Sequence, residues 1–276
     1  MENISNKCII YKNDLKFNEI DLENSEFESD VIEKIYETYK KKPKIELRLD
    51  DSKTENYNYL DLSKLGLNDK IFSELLNLER IKIILGKIYF LDLSNNSFEC
   101  IPNLENYRNI KILDISFNKI DREIINNNLE ELICNDNKIN KISSKSLLRL
   151  NASNNIIDSL NISNIKILIV NNNKLNYLES YLNLEYLECI DNNLNKLDNM
   201  LKLEELYISD NKIENLSYLP NLKLLNCINN PIDNIDYFSK LETLFISTPN
   251  ISEKYKIENI SKINNNYLIN LKDNNI

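Results

Sequence analysis

Along most of the chain, apolar residues recur in one frame: apolar, x, x, apolar, x, apolar, x, x, Asn, x, apolar. LEELYISDNKI from Leu203 is one copy, and IYFLDLSNNSF from Ile88, IKILDISFNKI from Ile110 and LEELICNDNKI from Leu129 are others. LLRLNASNNII from Leu147, IKILIVNNNKL from Ile165, LEYLECIDNNL from Leu184, LKLLNCINNPI from Leu222 and LETLFISTPNI from Leu241 continue the series. From Ile110 onward the starts fall 18 or 19 residues apart. A period held over so many copies predicts stacked coils, each covering the apolar edge of its neighbour.

Within a copy, the segment x-L-x-L-x alternates as a short strand does, and the Asn-containing segment turns the chain away. Stacking sets these strands side by side, about 4.8 Å apart, as a parallel sheet. Frame positions 1, 4, 6 and 11 point into a continuous core, and positions 3 and 5 point outward. A further apolar residue three places on, as in Ile142, Leu160, Leu178, Leu197, Leu216 and Ile235, closes the coil from the opposite side.

On these residues the chain resembles the leucine-rich repeat family, whose signature L-x-x-L-x-L-x-x-N/C-x-L it matches over roughly residues 57 to 251. The resemblance implies an α/β leucine-rich repeat solenoid of about ten coils, with a curved parallel sheet on the concave face. The coils leave no room for long helices, so extended or 3₁₀ segments are expected on the convex side, as in short intracellular repeats. The pattern degrades at both ends, as capping requires. YNYLDLSKLGL from Tyr57 has Leu65 in the Asn position, and LETLFISTPNI has Pro249 there.

Three segments depart from the frame. SEFESDVIEKIYETYKKKP predicts an amphipathic helix over about 25–42, with Ser25 and Glu28 as a capping box, Phe27, Val31, Ile32, Ile35, Tyr36 and Tyr39 on one face, and Pro43 as the stop. With a hairpin around Asn13 and Asp14 before it and the strand KIELRLD after it, this makes residues 1–56 an N-terminal helical and hairpin cap. NDKIFSELLNLERIKII from Asn68 has helical spacing and predicts a convex-side helix. Residues 252–276 are expected to cap the other end, as a degenerate coil.

Composition narrows the function. A net charge of -9 and the absence of a long Lys/Arg cluster beyond Lys40, Lys41 and Lys42 argue against a nucleic-acid partner. No stretch approaches a membrane span, and the start MENISNKCIIYKND lacks the pattern of a secretion signal, so a soluble cytoplasmic protein, without a membrane partner and monomeric, is expected. The abundance of Asn, Ile, Lys and Tyr matches A/T-rich codons, as in a protist or a large DNA virus acting in an infected host cell. That bias discounts any Asn that is not at a fixed frame position.

The chemistry of enzymes finds little support. The chain has no His, which removes the commonest triads and zinc sites, and its two glycines, Gly66 and Gly86, cannot form a phosphate loop. No catalytic residue, metal or cofactor is assigned. Asp136, Asp191 and Asp210 precede the frame Asn in three coils, but without a glycine-rich calcium nonapeptide or a twelve-residue loop. Cys134, Cys189 and Cys227 share frame position 6. They lie three and two coils apart, roughly 14 and 10 Å, beyond disulfide reach, so they read as small core residues. Cys8 and Cys100 have no CxxC spacing and read as free thiols.

The Asn column of Asn96, Asn118, Asn137, Asn155, Asn173, Asn192, Asn211 and Asn230 reads as a structural ladder, since one amide can satisfy both donors and acceptors of a turn. What the frame does not need is the outward strand face. In the C-terminal half, Ile167, Ile169, Tyr186, Tyr207, Leu224 and Phe245 predict an exposed apolar and aromatic strip, with Glu188 and Glu205 among them and Arg149 and Asn226 beside them. Patches of this composition suit protein interfaces. The expectation is a non-enzymatic protein-protein interaction module binding another protein on its concave face. The alternative is an adaptor or regulatory subunit, of a phosphatase or a ubiquitin ligase, that also uses the N-terminal helix.

Overall fold

The computed structural model describes residues 47–49, 53–55, 59–232, 238–246, 260–263 and 266–270. The helix expected at 25–42, the hairpin around Asn13, Cys8, Ile235 and Pro249 lie outside the described residues. The chain divides into two units, residues 1–120 with 128–133, and residues 121–127 with 134–276.

In the first unit the strands Tyr59–Asp61, Phe90–Asp92, Ile112–Asp114 and Glu131–Ile133 run parallel, side by side. Their central leucines, Leu60, Leu91, Leu113 and Leu132, fall opposite one another and are buried. The short strand Leu47–Leu49 pairs antiparallel with Lys53–Glu55.

The second unit repeats the arrangement. Strands Arg149–Asn151, Ile167–Ile169, Tyr186–Glu188, Glu205–Tyr207, Leu224–Asn226 and Thr243–Ile246 pair in parallel, with Leu150, Leu168, Leu187, Leu206, Leu225 and Leu244 in register. Every one of these leucines is buried, and each contributes about 1.5–3 kcal/mol that no isolated coil could collect. Stacked parallel strands with a buried apolar row make both units leucine-rich repeat solenoid.

Opposite these strands, the second unit has a smaller parallel sheet of Ile124–Ile125, Lys141–Ser144 and Ser159–Ile162. The coils therefore cross their far side in extended conformation. Ile142 and Leu160, in register there, close the core from that side, as Leu178 and Leu197 do further along; Leu216 is only half-buried.

The tail does not add another parallel coil. Asn266–Asn270 pairs antiparallel with Thr243–Ile246, and Ile260–Ile263 pairs antiparallel with Asn266–Asn270. A hairpin thus takes up the N–H and C=O groups that the last parallel strand would otherwise present at an open edge.

The helix expected from Asn68 is broken into α1, Asp69–Leu75, and α2, Glu79–Leu85. Asn68 caps the first, its side chain accepting from the Ile71 N–H at 2.9 Å. The break has a geometric cause. α1 buries Phe72 and Leu75, while α2 buries Ile81, Ile84 and Leu85. At about 100° per residue, Ile81 would lie half a turn away from Phe72 on one continuous helix. Extended backbone at Leu78 (φ -80, ψ 122) brings both apolar stripes to the same core.

Candidate functional site

The Asn column repeats one set of bonds in most of its coils. Asn211 Nδ2 lies 2.9 Å from the Cys189 carbonyl of the preceding coil and 3.1 Å from both the Ile208 and Ser209 carbonyls of its own. Its Oδ1 accepts the Leu194 N–H at 3.0 Å. Asn173, Asn192 and Asn230 repeat this set, taking the N–H of Ile157, Leu175 and Ile213. Asn155, on the Ile139 N–H, continues the second unit. Asn96 and Asn118 do the same in the first, on the Leu67 and Phe98 N–H. In Asn137, Nδ2 donates to the Cys134 and Asn135 carbonyls. Asn96, Asn118, Asn155, Asn173, Asn192, Asn211 and Asn230 each join their own turn to the coil before it, and from Asn155 onward the side chains that do so are buried.

The residue before each of these asparagines has a positive φ, between 52° and 57°: Asn95, Phe117, Asp136, Asn154, Asn172, Asp191, Asp210 and Asn229. Left-handed backbone favours Gly, then Asn and Asp, and this chain has only two glycines. Asp136, Asp191 and Asp210 therefore have a conformational reason to be where they are. Their side chains also link outward, Asn154 Nδ2 donating to Asp136 Oδ1 at 3.0 Å and Asn229 Nδ2 to Asp210 Oδ1 at 2.7 Å. Phe117 breaks the preference, since a bulky side chain, 52% exposed, occupies a left-handed position.

The thiols are core groups. Cys134, Cys189 and Cys227 are buried and form no disulfide, and burial pushes the Cys227 thiol up to about 12 and the Cys189 thiol higher. Cys100 is half-buried, and its Sγ lies 2.9 Å from Asp69 Oδ1. Burial works to raise the Asp69 carboxyl, but the Cys100 thiol and the Glu99 and Cys100 N–H groups outweigh it and hold the carboxyl below its ordinary value.

On the outward strand face of the first unit, Asp61, Asp92 and Asp114 stand in register at frame position 5. Each turns one oxygen onto the N–H two residues on, of Ser63, Ser94 and Ser116, at 2.8–3.0 Å. Asp92 is fully buried and accepts the Tyr59 hydroxyl at 3.1 Å, and Glu131 is 2% exposed. Burial first, and then Asp92, raise the Tyr59 hydroxyl far above its ordinary range. The pattern of single residues drew no attention to this acidic row; its signal is the repeated D-x-S after the strand leucine.

All ten candidate partner-binding residues lie in the second unit, where the register orders them in two rows. Arg149, Ile167, Tyr186, Glu205 and Leu224 form one, and Ile169, Glu188, Tyr207, Asn226 and Phe245 the other, which Asn151, outside the ten, continues past Ile169. The expected exposed strip needs correction in two places. Ile169 and Tyr186 are buried, at 7% and 6% exposure, whereas Ile167, Tyr207, Leu224 and Phe245 are half-buried. Tyr186 is covered in part because its ring packs on that of Tyr207, centroids 5.6 Å apart and planes at 39°.

The same two strands hold a square. Tyr186 stands opposite Glu205, and Glu188 opposite Tyr207, so rings and carboxylates alternate at the corners. The Tyr186 hydroxyl donates to Glu188, and the Tyr207 hydroxyl lies 3.4 Å from Glu205 Oε2. Glu188 also accepts from Asn171 Nδ2 at 2.9 Å.

No family model matches this sequence, and no curated protein matches it. Solved structures do. The LRIM1/APL1C complex matches with a TM-score of 0.54 and 18% identity over 75% of this chain and 43% of that one. The fold is that of a leucine-rich repeat protein. YopM from Yersinia enterocolitica WA-314 is 27% identical over 58% of this chain and 42% of its own, with a TM-score of 0.48. The LRIM1 leucine-rich repeat domain is 18% identical over 64% of this chain and 76% of its own, also at 0.48. The chain spans less than half the length of YopM and of the LRIM1/APL1C chain it matches. Among the described residues, no helix of this leucine-rich repeat chain is long and apolar enough to cross a membrane.

Proposed function

We propose that this leucine-rich repeat chain is a non-enzymatic protein-interaction module that holds a protein partner on the outward strand face from Arg149 to Phe245. The observation that carries the reading is the composition of that face. Its two rows combine aromatic and aliphatic side chains with Glu188 and Glu205, at frame positions that the core and the Asn ladder leave free. Half-buried Tyr, Leu and Phe rimmed by charge are the groups that anchor protein interfaces. The carboxylates favour a partner with a basic surface. A solved neighbour of the same fold is a complex of two proteins, LRIM1 and APL1C, which accords with this use.

The test compares partners retained by the full chain with those retained by a Tyr207→Ala, Leu224→Ala double variant. Ile156→Ala serves as control, because Ile156 is exposed and lies outside the two rows. Circular dichroism checks that all three are folded. The expected result is a protein held by the parent and the control and lost by the face variant. Equal retention by all three would refute the face.

A further inference from the structure

The alternating square of Tyr186, Glu188, Glu205 and Tyr207 has a more specific chemistry than a generic interface. Two carboxylates occupy opposite corners, with two aromatic rings at the others, and the rings touch across the diagonal at 5.6 Å. A cation placed here meets negative charge on two sides and the negative face of a ring. The attraction to each adds, because both favour the same charge.

The protein uses this combination elsewhere in the same unit. The Tyr177 hydroxyl donates to Asp198, and Lys196 Nζ lies 5.2 Å from the centre of the Tyr177 ring and 4.0 Å from Asp198 Oδ1. There, a tyrosine joined to a carboxylate is completed by a cation over the ring. The square contains two such tyrosine-carboxylate pairs, Tyr186 with Glu188 and Tyr207 with Glu205, turned in opposite directions on neighbouring strands.

From this geometry we infer that the square is a docking site for an arginine side chain of a basic partner segment. An ammonium is a compact point charge. A guanidinium is planar, can lie on the half-buried Tyr207 ring, and sends N–H donors out of its edges in several directions. Carboxylates on opposite corners call for donors in two directions, which favours arginine over lysine. Half-buried Ile167 flanks the square on one side and half-buried Leu224 on the other, in register, and they supply apolar walls for the methylene stem. The inference rests on the outward face being an interaction surface, as proposed above, and it names the partner's chemistry.

The full chain is titrated by calorimetry with three capped pentapeptides, Gly-Arg-Gly-Arg-Gly and its Lys and Glu counterparts. The arginine peptide is expected to bind several-fold tighter than the lysine peptide, and the glutamate peptide not to bind. Tyr207→Leu is expected to weaken the arginine peptide about two- to fivefold, and Glu188→Gln with Glu205→Gln by about tenfold or more. Glu204→Gln, an exposed carboxylate already held by Lys223 at 2.7 Å, is the control and should change little. Equal binding of arginine and lysine peptides overturns the guanidinium assignment. Arginine binding that survives the double Gln variant overturns the site. The two proposals can fail separately. Loss of a partner in the Tyr207, Leu224 variant without arginine-peptide binding leaves the face and removes the square's role, while arginine binding with unchanged partner retention does the reverse.

Discussion

Replacing Asn211 by Ala tests the physical account of the coil most directly. The four bonds of Asn211 are unequal in consequence. Without its Nδ2, the Cys189 carbonyl keeps Asn192 Nδ2 at 3.2 Å, the Ile208 carbonyl keeps Asn230 Nδ2 at 2.7 Å, and the Ser209 carbonyl keeps the Asp191 N–H at 3.0 Å. Leu194 is fully buried, and its N–H loses the Asn211 oxygen that accepted it. One orphaned buried donor costs about 1–3 kcal/mol, and the lost carbonyl bonds add to it, so Asn211→Ala should cost about 2–4 kcal/mol. Asn211→Asp should cost more at neutral pH. It keeps an acceptor for Leu194, but sets a carboxylate oxygen against three carbonyls, which raises its pKa in the fold. That cost is absent below its unfolded value of about 4 and grows as pH rises toward the folded value. Urea unfolding at pH 3.5 and 7, with hydrogen exchange at Leu194, measures both effects. A loss below about 0.5 kcal/mol for Asn211→Ala, or undiminished protection of the Leu194 amide, would refute the reasoning.

Three further outcomes are expected. Tyr181 is buried with its hydroxyl unpaired, whereas Met200, Leu219 and Phe238 fill the same frame position in later coils, so Tyr181→Phe should leave stability unchanged or raise it by about 1 kcal/mol; a loss above that in thermal unfolding would show that the hydroxyl has a partner. Phe117→Asn should raise stability by about 1 kcal/mol by relieving left-handed strain, and an unchanged unfolding midpoint would contradict the strain. Because burial raises the Cys227 thiol to about 12, the unfolded chain gives up that proton near its ordinary value of about 8.5 while the folded chain retains it, so stability falls between those values by up to about 1.4 kcal/mol per pH unit. Cys227→Ala should flatten that alkaline slope by one proton in urea titrations under reducing conditions.

The solenoid was legible because a period of 18 or 19 residues demands a repeated unit, and the frame put the strand leucines where they are buried. The spacing from Asn68 is helical in each half and so predicts one element; only the half-turn offset between Phe72 and Ile81 reveals the break. The left-handed column could have been read from Asn and Asp recurring before the frame Asn in a chain so poor in glycine. The Tyr-Glu square is spelled by EYLE and EELY, but it exists only once parallel pairing puts Tyr186 beside Glu205. Burial of Tyr186 was not legible, since an outward frame position says nothing of how far the Tyr207 ring lies over it.

The backward reach of the Asn side chain sets how this protein can change in length. From Asn155 to Asn230 each amide bonds its own turn and the one before it, and the partners are main-chain groups at the same frame positions in each of these coils. One coil is therefore interchangeable with another as far as this bonding is concerned. A duplication or loss of a whole 18- or 19-residue unit joins an amide to an equivalent carbonyl and an equivalent N–H, leaving no seam. A gain or loss of part of a unit would strand both, so the gene is free to grow or shrink in whole repeats while the outward strand face is lengthened, shortened or reshuffled row by row.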